Sequence, residues 1–207
     1  MTTVARKFCP SNPELSDIVE PPSVHISSSL RSWKIDRRRV SDLVTHMASR
    51  LGVAHLEVHV SFVGPAAMRR INKQFREKDK STDVLSFPQM EWQSPKLVQK
   101  TAKASKSAES TRRNRDMLRG TRGGLVSFHH ESVLGDMIIC LDAAEKNARE
   151  DGNPVAKEVC FLLAHGMLHL CGHDHQNPAE KKLMFGEQAA LMEQLEGSWR
   201  SCVRRTR

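Results

Sequence analysis

The sequence predicts an α/β (α+β) fold: a single domain with a mixed sheet of about four strands, about five helices, and a central buried helix that carries histidines. Three observations predict it. Four short stretches read as strands, two by alternation of apolar and polar residues and two as compact, mostly apolar runs. Between these stretches, apolar residues recur three and four apart, after openings marked by Asp, Asn or Pro. One segment, 155–170, is apolar nearly all round, as befits a helix without a broad solvent face. The 207 residues, 39% apolar and 27% charged, suffice for one real core and exclude a wholly disordered chain.

Residues 1–22 carry Pro10, Pro13, Pro21 and Pro22 without periodicity and read as a loose leader ahead of a domain at 23–198. Arg6 and Lys7 precede the first acid, Glu14, which is a faint organellar presequence signal. Val24 to Ser28 alternates and predicts a first strand. From Asp36, the residues Val40, Leu43, Val44, Met47 and Leu51 keep helical spacing, and Gly52 supplies the stop. Leu56, Val58, Val60 and Phe62 alternate strictly, as in a half-buried strand. After the break at Gly64-Pro65, Met68, Ile71 and Phe75 line one face of a short helix that also carries Asn72 and Arg76. Asp83 to Pro88 reads as a compact strand ended by proline.

Residues 89–132 are rich in Ser, Lys, Arg and Thr and have no sustained apolar period. They read as a basic low-complexity insertion, disordered or weakly ordered. Between Trp92 and His130 there are nine Lys/Arg and two acids, whereas the other 23 basic and 22 acidic residues nearly cancel. The net charge of +8 therefore belongs largely to the insertion, which would attract phosphates in a salt-dependent way. Met137 to Leu141 predicts the next strand, and Asp142 with Glu145 fits a capping box. Asn153-Pro154 opens the central helix, and Asn177-Pro178 opens the last one. Leu183, Met184, Leu191 and Leu195 form the buried face of that last helix, which Gly197 ends. Arg200, Arg204, Arg205 and Arg207 make 199–207 a frayed basic tail. The order of the strands stays open.

No apolar run reaches the ~20 residues that span a bilayer, so no membrane partner is expected. Five scattered cysteines without a C-x-x-C pair argue for a reducing compartment, the cytoplasm or a mitochondrial or plastid matrix, and against secretion.

The chemistry concentrates in His165-Gly-Met-Leu-His169-Leu-Cys-Gly-His173-Asp174-His175. Residues four apart on a helix share a face, so His165 and His169 can share a divalent cation. Gly172 can end the helix in a left-handed conformation and return His175 over the same face. Three imidazoles with one open position describe a catalytic zinc site, whereas a structural site is closed by four ligands. Zn2+ is favoured, and Ni2+ or Cu2+ also suits such ligands. The H-E-x-x-H peptidases place a general-base Glu where this chain has Gly166, which argues against a standard peptidase. Asp174 either orients a ligand imidazole or serves as a solvated turn residue.

Three ordered blocks resemble the YbeY-type endoribonucleases. His165 to His175 resembles that family's H-G-x-L-H-L-x-G-Y-D-H signature. Asn72-Lys-Gln-Phe-Arg76-Glu-Lys-Asp-Lys-Ser-Thr82-Asp83-Val-Leu-Ser-Phe-Pro88 is similar to its N-x-x-[FY]-R-x-x-D-x-x-T-[DN]-V-L-S-F-P block, and Leu134-Gly135-Asp136 before an apolar strand to a third. The resemblance implies a metal-dependent endoribonuclease, preferring single strands, in ribosomal RNA processing and ribosome quality control. Its partners would be ribosomal RNA and the ribosomal small subunit, with one Zn2+ and no nucleotide cofactor. It implies His165, His169 and His175 as zinc ligands, and Arg76 as the catalytic residue that holds the scissile phosphate, a task its planar fork suits. Thr82 and Asp83 are expected to shape the turn into the strand, and Asp136 to face the cleft or cap an edge. His173 replaces the signature's Tyr; an imidazole there stacks less well on a base and can compete for the metal. The length of 89–132 is the second departure. A non-catalytic, metal-stabilised assembly factor and a different metallohydrolase on the same histidines stand as alternatives.

Overall fold

A computed structural model describes residues 23–98 and 133–206. The predicted leader, 1–22, and the larger part of the predicted insertion, 99–132, lie outside the described residues. The elements run β1 (Val24–Ser28), β2 (Trp33–Ile35), α1 (Arg37–Arg50), β3 (Glu57–Val63), α2 (Pro65–Arg76), β4 (Val84–Pro88), β5 (Val133–Cys140), α3 (Leu141–Glu150), α4 (Val155–Leu170), α5 (Pro178–Gln194) and β6 (Val203–Arg205). The main sheet has the order β1-β3-β5-β4, with β1, β3 and β5 parallel and β4 antiparallel on the edge. The predicted mixed sheet of four strands and five helices is thus observed. β2 and β6 add a separate antiparallel pair that the sequence pattern did not announce.

Strict alternation along β3 divides the faces of the sheet. Val58, Val60 and Phe62 are buried, while Glu57, His59 and Ser61 are half-buried on the opposite side. The buried face joins Met137 and Ile139 of β5 to Val44 and Met47 of α1 and to Val159, Leu163 and Met167 of α4 in one core. On the other face, a small cluster of Met68, Leu85 and Cys140 seats α2. Helix starts follow local chemistry in part. The Asp36 carboxylate accepts the Arg39 amide, and Asn177 Oδ1 accepts the Ala179 and Glu180 amides. Asn153 instead takes Lys157 Nζ, and Pro154 occupies the cap position.

Four expectations are corrected. Asp142 and Glu145 form no capping box; both accept hydrogen bonds from Arg205 at the other end of the chain. The tail, over the described residues 199–206, is not frayed. Trp199, Cys202 and Val203 are buried, β6 pairs with β2, and the Arg205 guanidinium lies 4.9 Å over the Trp33 ring. Apolar residues interleaved with the arginines supply this anchoring, which charge alone conceals. Leu183 is exposed on α5, and Gln188 takes an inward position. Residues 89–98 have no regular structure, yet Met90, Trp92 and Val98 pack on the core. This strap donates Trp92 Nε1 to the Leu170 carbonyl (2.8 Å) and the Lys96 amide to the Cys171 carbonyl (3.1 Å). It thereby satisfies acceptors that the end of α4 leaves open.

Replacing Trp199 by Ala should cost about 3 kcal/mol or more in urea unfolding, the penalty for emptying an aromatic core position. A loose tail would give a change within about 0.5 kcal/mol.

Candidate metal centre

Burial selects the face on which α4 presents its histidines. Only Val155, Lys157, Phe161, His165 and His169 escape full burial along the helix, and the last four follow one another at four-residue steps. His165 and His169 therefore project along the single open stripe of an otherwise enclosed helix. Gly172 then turns the chain at φ 85°, where an L side chain would also crowd Trp92 at 3.0 Å. The turn closes through the His173 amide on the Leu168 carbonyl (3.0 Å) and brings His175 back over the stripe. The three ring centroids lie 4.7, 5.2 and 5.5 Å apart, and one nitrogen from each ring falls within 4.8 Å of the others.

The hydrogen bonds determine which nitrogens are available. His169 Nδ1 donates to the His173 carbonyl (2.9 Å), an acceptor that leaves no other choice of proton. His165 Nδ1 meets Gln188 Oε1 (3.2 Å), and Gln188 Nε2 donates to the Phe161 carbonyl (3.3 Å), which orients the amide. Both imidazoles thus keep their protons on the outward nitrogens and turn their Nε2 lone pairs towards each other, 3.1 Å apart. Burial pushes both rings below their ordinary pKa, His169 to about 4, so both are neutral near pH 7. Two neutral acceptors facing each other repel, and a cation between them converts that repulsion into two bonds. The donor set fits a zinc-type ion on this ground.

Position 166 is closed to a carboxylate. A Cβ on Gly166 would stand 2.5 Å from Met137 Sδ and 3.1 Å from Ser86 Oγ, so this side of α4 presses against the sheet. Burial also pushes the Cys160, Cys171 and Cys202 thiols up to about 12, which rules out a thiolate nucleophile among these three.

The histidines open into a cleft of about 830 Å³ whose other wall carries Arg76, Lys78 and Lys80. Arg76 ends α2, where Glu77 adopts a left-handed φ of 58°, and the buried Asn72 holds the following loop through the Lys80 carbonyl (2.7 Å). Arg76 makes one long contact, Nη2 to the Ser86 carbonyl at 3.4 Å, leaving most of its fork for a ligand. Thr82 and Asp83 shape the turn, as expected: Asp83 Oδ1 accepts from Thr82 Oγ1 and the Val84 amide, and Oδ2 from Asn147.

Asp174 is a turn residue. Its oxygens accept from the His175 amide (2.7 Å) and Gln176 Nε2 (2.6 Å) and reach no imidazole. His173 is only 3% exposed, with Nε2 bonded to the Lys96 carbonyl (2.7 Å), so its ring is neither a stacking platform nor a competing ligand through that nitrogen. Asp136 does not face this cleft; it stands opposite His59 on the other side of the sheet. Sequence reading missed Gln188 and the strap. Only the polar residue at an inward position of α5 hinted at the first.

Residues 25–196 match the family model described as Endoribonuclease YbeY. A relative from Myxococcus xanthus, named Endoribonuclease YbeY, is 37% identical over 148 residues, 72% of this chain and 38% of its own length. A Staphylococcus carnosus protein of the same name is 36% identical over 137 residues, 66% of this chain and 71% of its own. The solution structure of TM1509 from Thermotoga maritima superposes with a TM-score of 0.52 at 26% identity, covering 86% of this chain and 92% of that one.

Gln188→Leu, which removes the orienting acceptor from His165, should weaken Zn2+ binding about 10- to 100-fold in chelator competition while the fold persists. Gly166→Ala should cost about 1–3 kcal/mol in thermal unfolding, because Met137 and Ser86 must give way.

Proposed function

Because the chain belongs to the Endoribonuclease YbeY family, we propose that it is a zinc-dependent endoribonuclease, preferring single strands, that acts in ribosomal RNA processing and ribosome quality control. The observation that carries this reading is the convergence of three imidazoles with a largely unengaged arginine in one cleft. Two hydrolase alternatives lose support from the same geometry. The peptidase-type Glu has no room at Gly166, and thiol chemistry has no accessible thiolate among Cys160, Cys171 and Cys202.

His165, His169 and His175 would hold the ion, with Gln188 and the His173 carbonyl fixing two of the rings. The bound ion supplies Lewis acidity towards a phosphate oxygen or a water. Arg76 offers two parallel N–H donors to the scissile phosphate and stabilises the charge that develops on its oxygens. Lys78 and Lys80, on the same wall, draw the backbone of the strand into the cleft. The two carboxylates of the cleft, Asp83 and Asp174, spend their oxygens on hydrogen bonds from Thr82, Val84 and Asn147 and from His175 and Gln176. Among the described residues that line the cleft, none is a Phe or Trp that would stack a base in place of the signature's Tyr. Grip on RNA would therefore come mainly from phosphate contacts and weaken with salt. The insertion's nine Lys/Arg support the same polarity of attraction.

Arg76→Ala should lower cleavage of a single-stranded ribosomal RNA fragment about 100- to 1000-fold with smaller loss of binding. His169→Ala, purified in parallel, should lose both the ion of the three histidines and cleavage. Equal loss of binding and cutting in Arg76→Ala would favour a non-catalytic assembly factor. Cutting that survives in His169→Ala would mean a contaminating nuclease.

A further inference from the structure

The face of the sheet turned away from α4 carries a second cluster of metal-type donors, remote in sequence from the three histidines. We propose that His25, Glu57 and His59 form a second divalent-cation site of zinc type, which ties edge strand β1 to β3.

The register builds it. His25 pairs with His59 across β1 and β3, and His59 pairs with Asp136 across β3 and β5, so the three side chains line up in one row. Glu57 lies two residues before His59 and shares its face. A bulge between β3 and β5 completes the row. Glu57 opposes Val133, while Val58 opposes Gly135, so Leu134 is skipped. An unbroken ladder would put Gly135 opposite His59; the bulge puts Asp136 there. Bulges of this kind re-aim side chains at functional positions.

The donor atoms converge as ligands do. His25 Nε2 and His59 Nε2 lie 2.9 and 2.6 Å from the same oxygen, Glu57 Oε1, and the three donors fall within 4.8 Å of one another. Ligands around a tetrahedral zinc at ~2.0 Å stand about 3.3 Å apart, so modest side-chain rotation admits the ion. His59 Nδ1 bonds Asp136 Oδ1 (3.1 Å), and Asp136 Oδ2 accepts from Gln89 Nε2 (2.8 Å). That is the carboxylate–histidine arrangement that holds a ligand ring in one tautomer. His59 Nε2 bonds Glu57 Oε1 and His25 Nε2 approaches the same oxygen, so the three donors surround one place that a divalent cation can share. Ser23 Oγ, 3.0 Å from His25 Nε2, adds an oxygen at the rim. Two imidazoles and a carboxylate are borderline donors, suited to Zn2+ rather than to Mg2+ or Ca2+. With the His25 side chain 60% exposed, the ion would be open to solvent on one side.

Zinc bound per chain, measured by equilibrium dialysis against Zn2+ alone, tests the assignment without reading catalysis. Wild type is expected to bind two ions, Glu57→Gln one, His169→Ala one, and the double variant none. His25→Gln touches an exposed side chain and should also release one ion, or weaken it at least about tenfold. Asp136→Asn should weaken the same ion about tenfold while leaving the first site unchanged. A single ion on wild type that Glu57→Gln and His25→Gln retain overturns the proposal, as do two ions retained at unchanged affinity by either variant. Failure of the trihistidine site would appear separately, as an unchanged count in His169→Ala.

Discussion

The enclosure of α4 is the constraint on which the rest of the structure depends. Sheet, α1 and α5 bury this helix so completely that a single stripe reaches solvent, and two histidines occupy half of it. A half-buried imidazole in an apolar helix is costly unless its polar atoms are used. Here the outward nitrogens are bonded to Gln188 and to the His173 carbonyl, and the inward ones converge. Burial thus does three things at once. It keeps the rings neutral, holds their tautomers and aims their lone pairs at one point, which is what a metal ligand set requires.

The same enclosure explains two features that look unrelated. The close contact of α4 with Met137 and Ser86 demands glycine at 166, and so removes the position where H-E-x-x-H peptidases carry a carboxylate. The end of the helix requires a left-handed glycine at 172, and the strap 89–98 covers the carbonyls left there. His173 belongs to that cover: its ring holds the strap through Lys96, and its carbonyl holds His169. A residue that departs from the family signature thereby acts on the site through backbone and packing.

The two faces of the main sheet serve different purposes. One is apolar and seats α4. The other is apolar under α2 and polar beyond it, where His25, Glu57, His59 and Asp136 form a continuous row. Strict alternation along β3 produces both from seven residues, because successive side chains leave opposite sides of the strand.

Local pattern suffices for the strands read over 24–28 and 56–62, the capped start of α5, the stop at Gly172 and the shared face of His165 and His169. Each follows from dihedral periodicity or from one residue's conformational range, and needs no distant partner. Asp142, Glu145 and Arg205 show where that logic ends. Their charges suggested a capping box and a frayed tail, yet they meet one another across sixty residues of chain. Gln188, the strap and the row from His25 to Asp136 belong to the same class. Long-range packing settles these, because strand order, a bulge and the contacts of remote helices choose which side chains meet. No local pattern of hydrophobicity carries that choice.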